Sequence, residues 1–220
     1  DDDGPRRPVW LVVPRDAFEE IDTWQVSGLV GSGSRDVKCE GVFVPEHMTL
    51  LPHEARGGPT PGSEHVPGLL YQLPVLGLFP HILLGPMIGI AQGAYDDYVS
   101  EIRERTATYN SSKLAEHVQI QMKVAEAATL IQAARLLGHD NIREAERVAE
   151  AGRIPTVEEK IRWRRDGAYG AQNCVKAVQI LQSAIGAAGN YLSHPFQRRF
   201  RDMHAAASQI QVNFDINGAE

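Results

Sequence analysis

The sequence predicts an α+β chain in which a short β-rich part, residues 1–67, precedes an antiparallel four-helix bundle, residues 68–220. Three observations predict it. Short runs rich in Val, Trp, Phe and Thr, cut by Gly and Pro, fill the first part. Apolar residues at three- and four-residue steps fill the second. A loop dense in Pro and Gly, from Pro45 to about Pro67, lies between them.

The elements follow in order. Val9 to Val13 reads as a strand closed by Pro14, and Asp22 to Gly28 as a second, broken by Gly28, Gly31 and Gly33. Arg35 to Val44 reads as a third whose alternation slips at Gly41, as a bulge requires. Three or four such strands can neither close a barrel nor cover both faces of a sheet, so the reading expects more polypeptide ahead of Asp1. Met87, Ile90, Ala91, Ala94, Tyr98 and Ile102 mark one face of a first long helix, with Pro86 and His81 near its start. Leu114 to Leu137 forms a second, ended by Gly138. Thr156 with Glu159 is a capping box that opens a third of about 30 residues, reaching Ile185. Pro195 opens a fourth that runs to roughly Phe214, before Asn217 and Gly218 stop it. Helices of this length with one apolar face pack as an antiparallel bundle.

Composition narrows the function classes. The 220 residues carry 43% apolar and 23% charged side chains, an ordinary globular balance. With 22 basic against 28 acidic residues the formal charge is −6, which excludes a strongly basic surface built for nucleic acid. Val75 to Ala94 is the most apolar stretch, but Pro80, His81, Gly85 and Pro86 interrupt it, and it reads as a poor membrane span. The opening Asp-Asp-Asp-Gly-Pro-Arg-Arg-Pro lacks the basic-then-apolar order of a signal peptide. Cys39 and Cys174 have no metal-ligand spacing and read as reduced thiols of a cytoplasmic protein, with no metal site expected.

Trp24-Gln25-Val26-Ser27-Gly28-Leu29-Val30-Gly31-Ser32-Gly33-Ser34-Arg35-Asp36-Val37, with Val42-Phe43-Val44-Pro45 beyond it, resembles the central β-domain of the acyl-CoA dehydrogenase superfamily. The helical half agrees in order, and Asn190 to Asp202, with His194-Pro195 and Arg201-Asp202, resembles the segment that opens the last bundle helix there. The resemblance covers nearly the whole chain and corresponds to the C-terminal two-thirds of such a subunit. It implies a homotetramer assembled through the bundle.

The branch follows from two absences. Dehydrogenases of the superfamily carry an Arg between the first two bundle helices that helps hold the FAD pyrophosphate; Thr106 to Lys113 offers none. They also need a carboxylate base ahead of the segment that here reads Ser208-Gln209-Ile210-Gln211, and Met203 to Ala207 hold no Asp or Glu. The remaining pattern is similar to the flavin-dependent monooxygenases of the p-hydroxyphenylacetate hydroxylase oxygenase-component type. That resemblance implies reduced FMN, supplied by a separate flavin reductase, and an aromatic or polyketide-like substrate. FAD is the alternative flavin, and an FAD-dependent dehydrogenase or oxidase, or a non-catalytic scaffold, the alternative function.

The same resemblance implies site residues. Trp24, Ser32, Gly33 and Ser34 fall where the flavin is contacted, and Tyr71, Gln72 and His81 are substrate-pocket candidates. The branch has a histidine on the last helix that falls at Gln209 in this chain; His204 lies five residues earlier, about 140° round a helix. His204 and Gln209 therefore both stand as catalytic candidates: a titrating base, or a neutral hydrogen-bonding group in its place.

Overall fold

The computed structural model describes residues 8–107 and 111–218; part of the Thr106–Lys113 stretch discussed above, residues 108–110, lies outside them. Five α-helices carry the described fold: α1 Val75–Ile102, α2 Val118–Glu150, α3 Val157–Ile185, α4 Pro195–Ala207 and the single turn α5 Phe214–Asn217. Four short strands precede them: β1 Trp10–Leu11, β2 Glu19–Ile21, β3 Asp36–Lys38 and β4 Thr49–Leu50. β1 pairs antiparallel with β4, Trp10 opposite Leu50, and β2 with β3, Glu20 opposite Val37.

The strand segments are shorter than the sequence pattern predicts. Asp22 to Gly28 is not a strand, because its polar groups are spent elsewhere: the Trp24 indole N–H donates to Leu29 O at 3.0 Å, and Gly28 is pressed against α4. β3 stops at Lys38, since β2 offers it only three partners. Gly41 is a left-handed turn residue at φ +65° rather than a bulge within a strand.

The bundle is built on small residues. Ala91 and Ala94 of α1, Ala127 and Ala134 of α2, and Ala168, Ala171 and Ala177 of α3 are all buried, which lets the three long helices approach closely. Leu84, Met87, Ile131, Val178, Leu181, Phe196 and Met203 fill the space between them. α1 runs unbroken through Pro80 and Pro86 and starts at Val75, six residues ahead of His81, so the two prolines do not punctuate it as the sequence reading expects. It is long and apolar enough to cross a membrane, and here it packs against α2, α3 and α4. α2 likewise passes through Gly138 to Glu150, and Leu114 lies in a separate 3-10 turn. The Thr156–Glu159 capping box is present: Thr156 N–H donates to Glu159 Oε2 at 2.8 Å and Glu159 N–H to Thr156 Oγ1 at 3.1 Å. Neither cysteine is paired; Cys39 is exposed and Cys174 buried, its thiol pushed up to about 12 by desolvation.

α4 is shorter than predicted. It ends at Ala207, and a 3-10 turn, Ile210–Val212, then leads into α5. Asn217 holds this exit together: its buried amide donates to Ile210 O, Gln211 O and Asn213 O at 2.8–3.2 Å, and its oxygen accepts from the Arg164 guanidinium of α3 at 2.9 Å.

Candidate functional site

The loop from Thr23 to Asp36 is tied at its base and at its middle. At the base Asp36 N–H donates to Thr23 Oγ1 at 3.3 Å, beside the β2–β3 pair. In the middle Gly28 rests on the α4 backbone so closely that a Cβ there would lie 2.3 Å from Arg201 O. Leu29 takes the left-handed conformation, φ 54°, which aims its N–H at Asp202 Oδ1, 2.7 Å away. The Arg201 guanidinium in turn donates to Ser27 O. Asp202 is thus held by a backbone donor on one side and by Arg198, at 3.5 Å, on the other.

Past this anchor the chain makes a 3-10 turn, Val30–Ser32, and reverses at Gly33, φ +62°. Gly31, Ser32, Gly33 and Ser34 are all exposed, and a Cβ at Gly31 or Gly33 would meet nothing within 4 Å. The structure therefore presents a ledge of small residues, braced by Trp24, that a flat ligand can approach closely. The indole of Trp24 is half-buried and its N–H is used inside the loop.

His204 and Gln209 do not share a helix. His204 is in the last turn of α4, two residues past Asp202 and so about 200° round the helix from it. Its Nδ1 lies 2.8 Å from Phe200 O, so the proton sits on Nδ1, and Nε2 accepts from the Gln179 amide of α3 at 3.2 Å. The ring also packs on Phe200. Gln209 lies beyond the helix end, where its side-chain oxygen accepts from Gln211 N–H and caps the following turn. The angular comparison drawn from the sequence does not apply, because the helix stops between the two.

The substrate candidates are also separated. Tyr71 is exposed and lines a cavity of about 640 Å³ with Leu50, His53, Arg56 and Ile154. Gln72 does not line it; its carbonyl accepts from Gly58 N–H at 2.8 Å. His81 borders a second cavity of about 470 Å³ between α1 and α2, and the two cavities share Leu73 and Val75. His81 itself is wedged into the bundle. Its Nε2 accepts from the Asn141 amide at 3.2 Å, which puts the proton on Nδ1, and that buried N–H has no partner among the described residues. Burial lowers its pKa to about 4, against a smaller opposing pull from Asp166.

The anchor on α4 was missed from sequence. Gly28 and the Arg201-Asp202 pair are visible there, but nothing in the chain says that one sits on the other across more than 170 residues. The tie of Asn217 to Arg164 is hidden for the same reason.

Residues 82–214 match the family described as acyl-CoA dehydrogenase, C-terminal domain. The chain is 32% identical, over 96% of its length, to an FADH2-dependent resorcinol hydroxylase, oxygenase component, from Rhizobium sp. (strain MTP-10005), and covers 54% of it. It is 25% identical, over 98% of its length, to the p-hydroxyphenylacetate 3-hydroxylase, oxygenase component, of Acinetobacter baumannii, covering 51% of that protein. The crystal structure of 3-HSA hydroxylase from Rhodococcus sp. RHA1 superposes with a TM-score of 0.89 at 28% identity, covering 98% of this chain and 56% of that one. The chain spans about half the length of the relatives it matches.

Two outcomes follow from this geometry. In Gly28→Ala the added Cβ cannot coexist with Arg201 O, so the loop lifts from α4, and trypsin cuts at Arg35 faster than in the parent; Gly31→Ala, whose Cβ meets open space, cuts at the parent rate. For His81, an unfolded imidazole titrates near 6.5 and the folded one near 4. Between those values the unfolded chain binds a proton that the folded chain does not, so stability falls as pH drops from 6.5 to about 4 and then levels. Urea unfolding across this range shows that slope, and His81→Met flattens it by roughly 3 kcal/mol over the window.

Proposed function

Since this chain belongs to the acyl-CoA dehydrogenase C-terminal domain family, we propose that the protein is the oxygenase component of a two-component flavin-dependent monooxygenase acting on an aromatic small molecule. The observation that carries the reading is the pairing of the open Gly31–Ser34 ledge with an α4 segment, Met203 to Ala207, that holds no carboxylate. A dehydrogenase or oxidase of this fold needs a base for α-proton removal, and an oxygenase does not. The names of the relatives, both oxygenase components, support the same choice.

The ledge fits a flavin. Ser32 and Ser34 are exposed, a Cβ at Gly31 or Gly33 would meet nothing within 4 Å, and the Trp24 indole N–H holds Leu29 O at the start of the turn. These residues would hold the isoalloxazine edge. When bound, reduced flavin supplies the two electrons that let one atom of dioxygen enter the ring as hydroxyl while the other leaves as water. The protein's part is to keep the ledge rigid, which the Asp202–Leu29 bond does, and to exclude water so that oxygen is not lost as hydrogen peroxide. The flavin arrives reduced from a separate reductase. Reduced FMN and FADH2 both suit the ledge, and the name of the Rhizobium relative makes FADH2 the first to try.

Gln209 is the proposed catalytic side chain: its oxygen caps Gln211 N–H, and its amide N–H groups are proposed as neutral donors to the flavin or substrate. His204 is turned toward α3 with both ring nitrogens engaged, which suits a structural role. A homotetramer is proposed through the exposed apolar residues of the bundle, among them Val118 and Met122 of α2.

The test is to add the protein to chemically reduced FADH2 or FMN with oxygen and a phenolic substrate, and to measure product formed per flavin oxidised. The protein should slow flavin re-oxidation and yield hydroxylated product; re-oxidation at the protein-free rate would refute the reading. Gln209→Ala should lower the coupling ratio severalfold, in line with one lost hydrogen bond of about 1 kcal/mol, with more hydrogen peroxide. His204→Ala should leave coupling near the parent value. Light scattering should give the mass of four chains, and a stable monomer would count against the proposed assembly.

A further inference from the structure

The cavity between α1 and α2 has a character that the oxygenase reading does not use. Leu70, Leu73, Leu78, Ile82, Ile88 and Ile142 are among the apolar residues of its wall, and at about 470 Å³ it is the size of pockets that enclose small organic ligands. Three side chains that can carry charge border it: His81, His139 and Arg135. His81 is engaged with Asn141 inside the bundle and neutral at physiological pH. His139 is exposed at the rim.

Arg135 is different. Its Nη2 donates to Gln92 Oε1 at 3.0 Å, bridging from α2 to the turn of α1 just past Ile88, and its Nη1 donates to Gln132 Oε1 at 3.1 Å. Both partners are neutral amides. Among the described residues no carboxylate lies within 4 Å of this guanidinium, whereas Arg105, Arg153, Arg162 and Arg199 each have one. The two glutamines hold the fork of a side chain that borders the apolar slot, and the carboxylate linked to it, Asp96, is reached only through the Gln92 amide, which donates to Asp96 Oδ1 at 2.9 Å.

We propose that this cavity binds a small amphipathic monoanion, an aryl or branched alkyl carboxylate, with its apolar body against Leu78, Ile82, Ile88 and Ile142 and its carboxylate on Arg135. A carboxylate is the acceptor that a guanidinium fork matches in both charge and shape. The apolar wall supplies affinity without regard to charge, and Arg135 supplies the discrimination. Neither step involves the Gly31–Ser34 ledge.

The experiment is a titration of the flavin-free protein with 2-naphthoate, followed by naphthyl fluorescence, beside 2-naphthamide, which has nearly the same shape and no charge. The naphthoate should bind at least tenfold more tightly, about 1.4 kcal/mol. Arg135→Gln should bring it down to the affinity of the amide, and Arg135→Lys should retain part of the preference. Ile142→Trp, which fills the slot, should weaken both ligands. Equal affinities in the parent, a preference that survives Arg135→Gln, naphthoate binding that survives Ile142→Trp, or no saturation by either ligand at millimolar concentration would each overturn the proposal. Because no flavin is present, such a failure leaves the oxygenase reading where it stands.

Discussion

The contact between Gly28 and the backbone of α4 is the constraint from which the candidate site follows. A glycine is required there because no Cβ fits beside Arg201 O, and the close approach places the Leu29 N–H against the Asp202 carboxylate. A charge-assisted bond of this kind is stronger than a bond between neutral groups, and it is made across the whole length of the bundle's sequence. The short β segments have little else to hold them, since each sheet has two strands and most of its faces are exposed. α4 therefore does more than close the bundle. It fixes where the Gly31–Ser34 ledge stands relative to the helices.

That in turn depends on α4 being rigid, and the bundle ensures this at both ends. His194 caps the first turn by accepting Phe196 N–H on Nδ1 at 3.2 Å, while its Nε2 lies 3.0 Å from Glu101 of α1. The proton therefore sits on Nε2, and the cap and the bond to α1 use the same neutral ring. Midway, Arg199 donates to Asp97 of α1 at 2.6 Å, filling the space left by Gly93, where a Cβ would meet the guanidinium. At the far end Asn217 and Arg164 secure the turn on which Gln209 sits. The ties of His194 to Glu101, Arg199 to Asp97 and Asn217 to Arg164 join α4 or its exit to α1 or α3, and each spans more than 50 residues of chain.

This explains which parts were readable from the sequence. The helical half was, because the apolar period and the Thr156 capping box are local signals that the fold preserves. Helix ends were less so. Pro86 reads as lying near a helix start and Gly138 as a stop, yet both helices run through them, because packing outweighs what one proline or glycine costs in a helix of 28 or 33 residues. The stop at Ala207 was invisible for the opposite reason, since it comes from the Asn217 network and not from any breaker near it. The ledge is visible as a pattern of residues, but its anchoring is not, because strand periodicity in Asp22 to Gly28 hides a segment in which Trp24 bonds to Leu29 O and Ser27 O accepts from Arg201 of α4.

The contrast between His81 and Arg135 shows how the same bundle treats two basic side chains. His81 is the more conspicuous in sequence, a histidine among Leu, Phe and Ile, and it reads naturally as a pocket group. Burial on three helices removes its charge at neutral pH and leaves one N–H without a partner among the described residues, so there it contributes a shape and a cost rather than a charge. Arg135 looks like an ordinary polar residue on the outer face of α2. Two glutamines hold its guanidinium, no carboxylate among the described residues pairs with it directly, and its side chain borders the cavity. Sequence position ranks these two in one order and solvation in the other, and it is solvation that decides which of them can recognise an anion.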